Sequence, residues 1–202
     1  INYLQLTKKV WAEIISEISA YPNFKKYAEM FNFDIRQLLN SMYYSRFVNT
    51  TRYSANRIEN ASYIPHGMLV LLQGTLDLMC SKNFDERELG KLRHLLIISQ
   101  RIARIGNLYN TYSRELLERD SSSEVMLRFQ EEFDYGFMFK LDKILNYERR
   151  YLKFEESLKK EWIQLFESAQ LLAPEIKSIN ATMFLKEREF IQDAYLKKSD
   201  YW

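Results

Sequence analysis

The sequence predicts an all-α protein, and three observations carry that expectation. Apolar residues recur at intervals of three and four through most of the chain. Leu, Glu, Lys, Arg, Ile and Ala are frequent. Only five Gly and three Pro punctuate 202 residues, too few for the turns of a β-sandwich or a parallel α/β sheet. With 47% hydrophobic and 28% charged residues the chain can bury one substantial core, and it reads as a single α-helical domain over residues 1–202.

The elements follow in order. Tyr3 to Ile18 carries a helical apolar stripe. Pro22 then marks a turn, and a short helical segment leads to a second amphipathic stretch carrying Phe33, Ile35, Leu38, Leu39, Met42 and Tyr43. Asn49-Thr50-Thr51 predicts a loop. A helix from about Ser54 towards Cys80 follows, bent near Pro65 and Gly67 and again at Gly74. Asp85-Glu86-Arg87-Glu88 suits a helix N-terminus, and Leu89, Leu92, Leu95, Leu96, Ile98, Ile102 and Ile105 carry that helix to about Glu118. Arg119 to Ser123 reads as a loop in which Ser121 and Glu124 are spaced as a capping box. Phe137 to Leu171 predicts a long helix, ended by Pro174, and Ala181 to Lys198 a last one.

Composition excludes several functions. The 29 basic and 27 acidic residues are interspersed and leave a net charge of +2, without the concentrated positive face of a nucleic-acid binder. A lone cysteine, Cys80, rules out an internal disulfide and reads as a small buried residue. With no signal peptide at Ile1, it points to a reducing interior, the cytoplasm. The most apolar stretch, Tyr63 to Cys80, is broken by Pro65, His66, Gln73 and Asp77, so no membrane span is expected. His66 and His94 are isolated from any partner motif and read as ordinary core or surface histidines.

One constellation points to chemistry. Asn107, Thr111 and Glu115 stand at i, i+4 and i+8 on the long central helix. Each step of four residues overshoots a full turn by about 40°, so the three oxygen-bearing side chains share a face. Oxygen-only ligands suit a hard cation such as Mg²⁺, whose remaining positions are taken by water or phosphate oxygens. Arg114, next to Glu115, is placed to fold across towards an anion held by that cation. The competing reading is a solvated helix face on which the spacing arises by chance.

Within Arg104-Ile-Gly-Asn-Leu-Tyr-Asn-Thr-Tyr-Ser-Arg-Glu-Leu-Leu-Glu-Arg-Asp120, the triad closely resembles the second metal-binding motif of microbial class I terpene synthases, Asn-Asp-x-x-Ser/Thr-x-x-x-Glu. The resemblance implies that Asn107, Thr111 and Glu115 chelate Mg²⁺ and that Arg114 holds diphosphate. Leu108 stands where the family has a non-ligating Asp. Phe33-Asp34 with Gln37, Asn40 and Tyr44, then Pro65-His66-x-Met68, then Thr75-Leu-Asp-Leu-Met79 also look like segments of bacterial members. Arg57 lies where these enzymes usually place an arginine that senses diphosphate, with a solvated helix arginine as its alternative. Tyr44 and Phe47 are candidates to line a pocket and face a carbocation.

The implied fold is the class I terpenoid synthase helical bundle, with this chain as its C-terminal part, lacking the N-terminal helices. The implied activity is that of a Mg²⁺-dependent lyase ionising a prenyl diphosphate. The family's Asp-rich motif, Asp-Asp-x-x-Asp, is missing: Asp85-Glu86 with Glu88, and Glu131-Glu132 with Asp134, are the nearest lookalikes and are wrongly placed. The helices bearing it are expected to precede Ile1 or to come from a second chain. The C-terminus departs from the family too: many bacterial members place Arg-Tyr there, and this chain offers only Lys197, Lys198 and Tyr201. The alternative is a non-catalytic helical subunit that binds a prenyl chain or a partner protein through the same groove.

Overall fold

A computed structural model describes residues 2–51, 53–133 and 148–187. Among these residues the regular structure is entirely helical, and the protein is all-α. The described residues include α1 (Tyr3–Ser19), α2 (Phe24–Thr50), α3 (Arg57–Tyr63), α4 (Val70–Cys80), α5 (Leu89–Glu118), α6 (Glu124–Phe133) and α7 (Glu148–Leu172). Residues 181–187 are also helical. The predicted start of the long helix at Phe137 and the end of the last at Lys198 lie outside the described residues, as do Lys197, Lys198 and Tyr201. None of the described helices is long and apolar enough to cross a membrane.

The 30 residues of α5 make it the spine, about 45 Å long at 1.5 Å per residue. Its first half supplies Leu92, Leu95, Leu96, Ile98 and Ile102 to a core shared with Tyr27 and Phe31 of α2, Val70, Leu71, Leu78 and Met79 of α4, and Phe166 and Ala169 of α7. Its second half supplies Ile105, Leu108 and Leu116 to another core, shared with Val125, Met126 and Phe129 of α6 and Phe154 and Leu158 of α7. Trp162 and Leu165 of α7 pack against both, and the Trp162 ring stacks on Phe166 at 4.9 Å. Burial of this kind, at roughly 25 cal/mol per Å² of apolar surface, is the main favourable term in the fold.

Several boundaries differ from the sequence reading. No separate short segment precedes the second stripe: α2 runs unbroken from Phe24, because neither Gly nor Pro interrupts residues 24–50 and because Tyr27 and Phe31 already face the core. The predicted loop at Asn49-Thr50-Thr51 is shorter than expected, since α2 continues through Thr50, and the stretch after it is not one bent helix. It breaks into α3, a 3₁₀ turn over Ile64–Met68 with Pro65 in its first turn, and α4, and Leu69 takes the left-handed conformation between them. Gly74 does not bend α4. It lets α4 approach α5 closely, since a Cβ there would lie 2.4 Å from Leu96 Cδ1. Cys80 is exposed, not buried: Leu78 and Met79 take the inward positions of the last turn, and Cys80 lies about 100° beyond Met79.

A buried polar network fixes α2, α4 and α5 in register. Asp34 of α2, only 3% exposed, accepts both guanidinium branches of Arg93 on α5 and the Thr75 hydroxyl of α4, at 2.6–3.0 Å. Nearby, Gln100 Oε1 accepts the Leu71 amide at 3.2 Å, which leaves the Gln100 amide nitrogen to donate to His66 Nδ1 at 3.2 Å. The His66 proton therefore sits on Nε2. Burial pushes the His66 pKa down, against a smaller upward pull from Asp34 and with a further downward push from Arg93. His94 is exposed on α5.

Candidate functional site

The second half of α5 reverses into α6 through a turn that builds one wall of the site. Arg119 ends α5 in the left-handed conformation (φ 56°), its amide donating to the Leu116 carbonyl and the Asp120 amide to the Glu115 carbonyl. Glycine is the usual residue at such a stop. The loop beyond it is tied down. Asp120 Oδ1 accepts the Asn49 side-chain amide and both the amide and hydroxyl of Ser122, and Asn60 donates to the Ser122 carbonyl at 2.6 Å. Ser123, fully buried, is the residue before α6. The predicted capping pair is displaced accordingly: the Ser121 amide donates to Asn49, and the Ser123 hydroxyl donates to Glu115 Oε2 at 2.5 Å.

Asn107, Thr111 and Glu115 come together on α5. Thr111 Oγ1 lies 2.6 Å from Glu115 Oε1 and 2.9 Å from the Asn107 carbonyl. Between the Asn107 and Glu115 side chains stands a residue that the triad alone did not indicate, Arg104. Its Nη1 donates to Asn107 Oδ1 at 2.7 Å and to Glu115 Oε1 at 3.4 Å, and its Nη2 donates to Glu115 Oε2 at 3.3 Å. Glu115 is 6% exposed, and its carboxylate thus accepts from Thr111, Ser123 and both branches of Arg104. The signal was in the spacing: Arg104 precedes Thr111 by seven residues and Glu115 by eleven, which puts it within about 20° of each on the same stripe.

The two arginines read from the sequence are placed differently. Arg114 lies off this stripe and pairs with Glu118 at 3.6 Å, its side chain 66% exposed. The structure does not bring it to the triad. Arg57 of α3 pairs with Glu131 at 3.5 Å and lines a cleft of about 310 Å³ together with Arg101, Arg104, Glu124 and Glu161. Ile58, Ala61, Pro65 and Ile105 form its apolar wall. Arg101 reaches Glu161 at 3.2 Å, and Arg128 bonds Glu124 and Glu161. On the other side of α3 a second hollow, about 360 Å³, is lined by Asn40, Tyr43, Tyr44, Phe47, Glu59 and Tyr63, with Tyr44 stacked on Tyr63 at 5.2 Å. Burial raises the Tyr44 pKa, so its phenol stays protonated. Leu108 is fully buried in the second core, a place where a carboxylate would be desolvated.

Two neutral oxygens, one carboxylate and no nitrogen or sulfur make a donor set that fits a hard divalent cation completed by water or phosphate. Among the described residues no group of three His, Cys, Asp or Glu side chains gathers as a metal site, so any cation here would rest on one formal negative charge. What fold and site define is an all-α chain in which α5, the longest helix among the described residues, sets an oxygen triad and a counter-charged arginine against an arginine-lined cleft. The chain matches no known protein family, no curated protein and no solved structure.

Proposed function

We propose that this chain is the part of a class I terpene synthase that carries its second cation site, and that it takes part in ionising a prenyl diphosphate. The observation that carries the reading is the meeting of Asn107, Thr111 and Glu115 oxygens beside a cleft lined by Arg57, Arg101 and Arg104. Asn107, Thr111 and Glu115 hold Mg²⁺. The chemistry that Mg²⁺ supplies when bound is Lewis-acid stabilisation of the departing diphosphate. Arg57, Arg101 and Arg104 attract and orient that anion, and their charge counts for more in a cleft with apolar walls than in water. The hollow beyond α3, with Tyr43, Tyr44, Phe47 and Tyr63, offers aromatic faces to an apolar chain or a carbocation.

The family's Asp-rich helix completes this reading, whether an upstream segment or a second chain supplies it. Leu39, Met42, Tyr43 and Phe47 are exposed along α2 and form an apolar wall suited to packing against such a helix. The test is incubation of the full-length protein with geranyl, farnesyl or geranylgeranyl diphosphate and Mg²⁺, with extraction of hydrocarbon. The reading expects product that is lost in Glu115→Gln. Product unaffected by that substitution rejects the assigned role.

One observation favours a second reading, a non-catalytic subunit that binds a prenyl chain or a partner protein. Arg104 already neutralises Glu115 without any added cation. Binding of a prenyl diphosphate without product, and without dependence on Mg²⁺, would select it.

A further inference from the structure

We propose that Arg104 is a resident counter-ion of the cation site, which a divalent ion displaces, and that the displaced guanidinium turns into the adjoining cleft to meet an anion. The proposal rests on the reading of Asn107, Thr111 and Glu115 as cation ligands, and adds how that site is kept before it is filled. Arg104 Nη1 bonds both Asn107 Oδ1 and Glu115 Oε1, so a positive centre already occupies the point on which those ligands converge. Two cations on one carboxylate repel each other strongly where Glu115 is almost wholly buried.

The geometry favours exchange over a permanent lock. Residues 104 and 115 are separated by about 16 Å of helix rise, so Arg104 must extend along α5 while Glu115 reaches back. The resulting bonds, at 3.3 and 3.4 Å, lie beyond the usual 2.7–3.2 Å range, whereas the bond to Asn107 is 2.7 Å. The grip on the carboxylate is the weak end. Arg104 also lines the cleft that holds Arg57 and Arg101. Glu124 and Glu161 on the same walls are already held by Arg128 and Arg101, so the freed guanidinium faces the cleft open to an arriving anion. Cation binding thereby increases the positive charge facing the cleft, and the two ligands bind cooperatively.

The experiment uses Mn²⁺ alone as probe on the full chain, with the free ion followed by electron paramagnetic resonance. Arg104→Gln should bind Mn²⁺ about tenfold or more tightly than the unaltered protein, because a competing charge is gone. Glu115→Gln should abolish binding in either background. Glu115-dependent binding that Arg104→Gln leaves unchanged or weakens overturns the counter-ion proposal alone, with the cation site intact. Binding that ignores Glu115→Gln, or none in any form, overturns the site and the proposal together. Should Arg104→Gln fail to fold, the unaltered protein still decides. The Arg104 Nε–Hε resonance should shift and exchange faster with solvent as Mg²⁺ is added, and should stay fixed in Glu115→Gln. A resonance that Mg²⁺ leaves unmoved in the unaltered protein overturns the proposal.

Discussion

The Arg104–Glu115 pair allows a quantitative test by double-mutant cycle. Side-chain exposures of 12% and 8% place both charges largely out of water. Removing one partner of a buried ion pair costs about 3–5 kcal/mol, and bonds of 3.3–3.4 Å put this pair at the lower end, ~3 kcal/mol. Glu115→Ala leaves Arg104 without its carboxylate and frees the Ser123 hydroxyl, and Arg104→Ala leaves Glu115 held only by Thr111 and Ser123. For a chain of this size ~3 kcal/mol is roughly 6–12 °C in Tm. The assay is urea unfolding followed by far-ultraviolet circular dichroism in metal-free buffer. Each single substitution should cost ~3 kcal/mol and the double about 3–4, giving a coupling of ~2–3 kcal/mol. Costs that add to within about 0.5 kcal/mol would refute the contact.

Three further outcomes are expected. Asp34→Ala strands Arg93 and Thr75 inside the α2–α4–α5 junction and should cost ~3–5 kcal/mol in the same unfolding assay. Arg119→Gly relieves a left-handed non-glycine residue at the end of α5 and should stabilise by about 0.5–1 kcal/mol; any loss of stability contradicts the role given to that turn. Burial lowers the folded-state pKa of His66 below 6.5, so the unfolded chain binds the extra proton first as pH falls. The protein should lose stability as pH falls through about 6.5, and His66→Gln should flatten that slope. An unchanged slope in the variant places the titration elsewhere.

The all-α class, the long helix Leu89–Glu118 and the shared face of Asn107, Thr111 and Glu115 were legible because a 3.6-residue period leaves a direct trace in residue order. Boundaries set by tertiary contact were not. α2 extends back to Phe24 because Tyr27 and Phe31 find a core, and Gly74 serves the approach of Leu96, not a bend. The site was half legible. Spacing put the triad on one stripe and would have put Arg104 there too, but nothing in residue order says that Arg104 and Glu115, three turns apart, reach towards each other along α5 and bond. Glu115 read as an open ligand and is instead buried and fully bonded, since Ser123 is folded onto it by a turn whose left-handed residue is an arginine. Arg114 stood beside Glu115 in sequence, but adjacent helical residues point about 100° apart, and it pairs outward with Glu118.

On the proposed function, the triad and the arginine-lined cleft together bind a divalent cation with diphosphate. Isothermal titration of inorganic pyrophosphate into the full chain, with saturating Mg²⁺ and again with a chelator, measures this directly. Binding should require Mg²⁺ and weaken about tenfold or more in both Glu115→Gln and Arg57→Ala. Pyrophosphate binding of equal strength with and without Mg²⁺, or undiminished in Glu115→Gln, would contradict it.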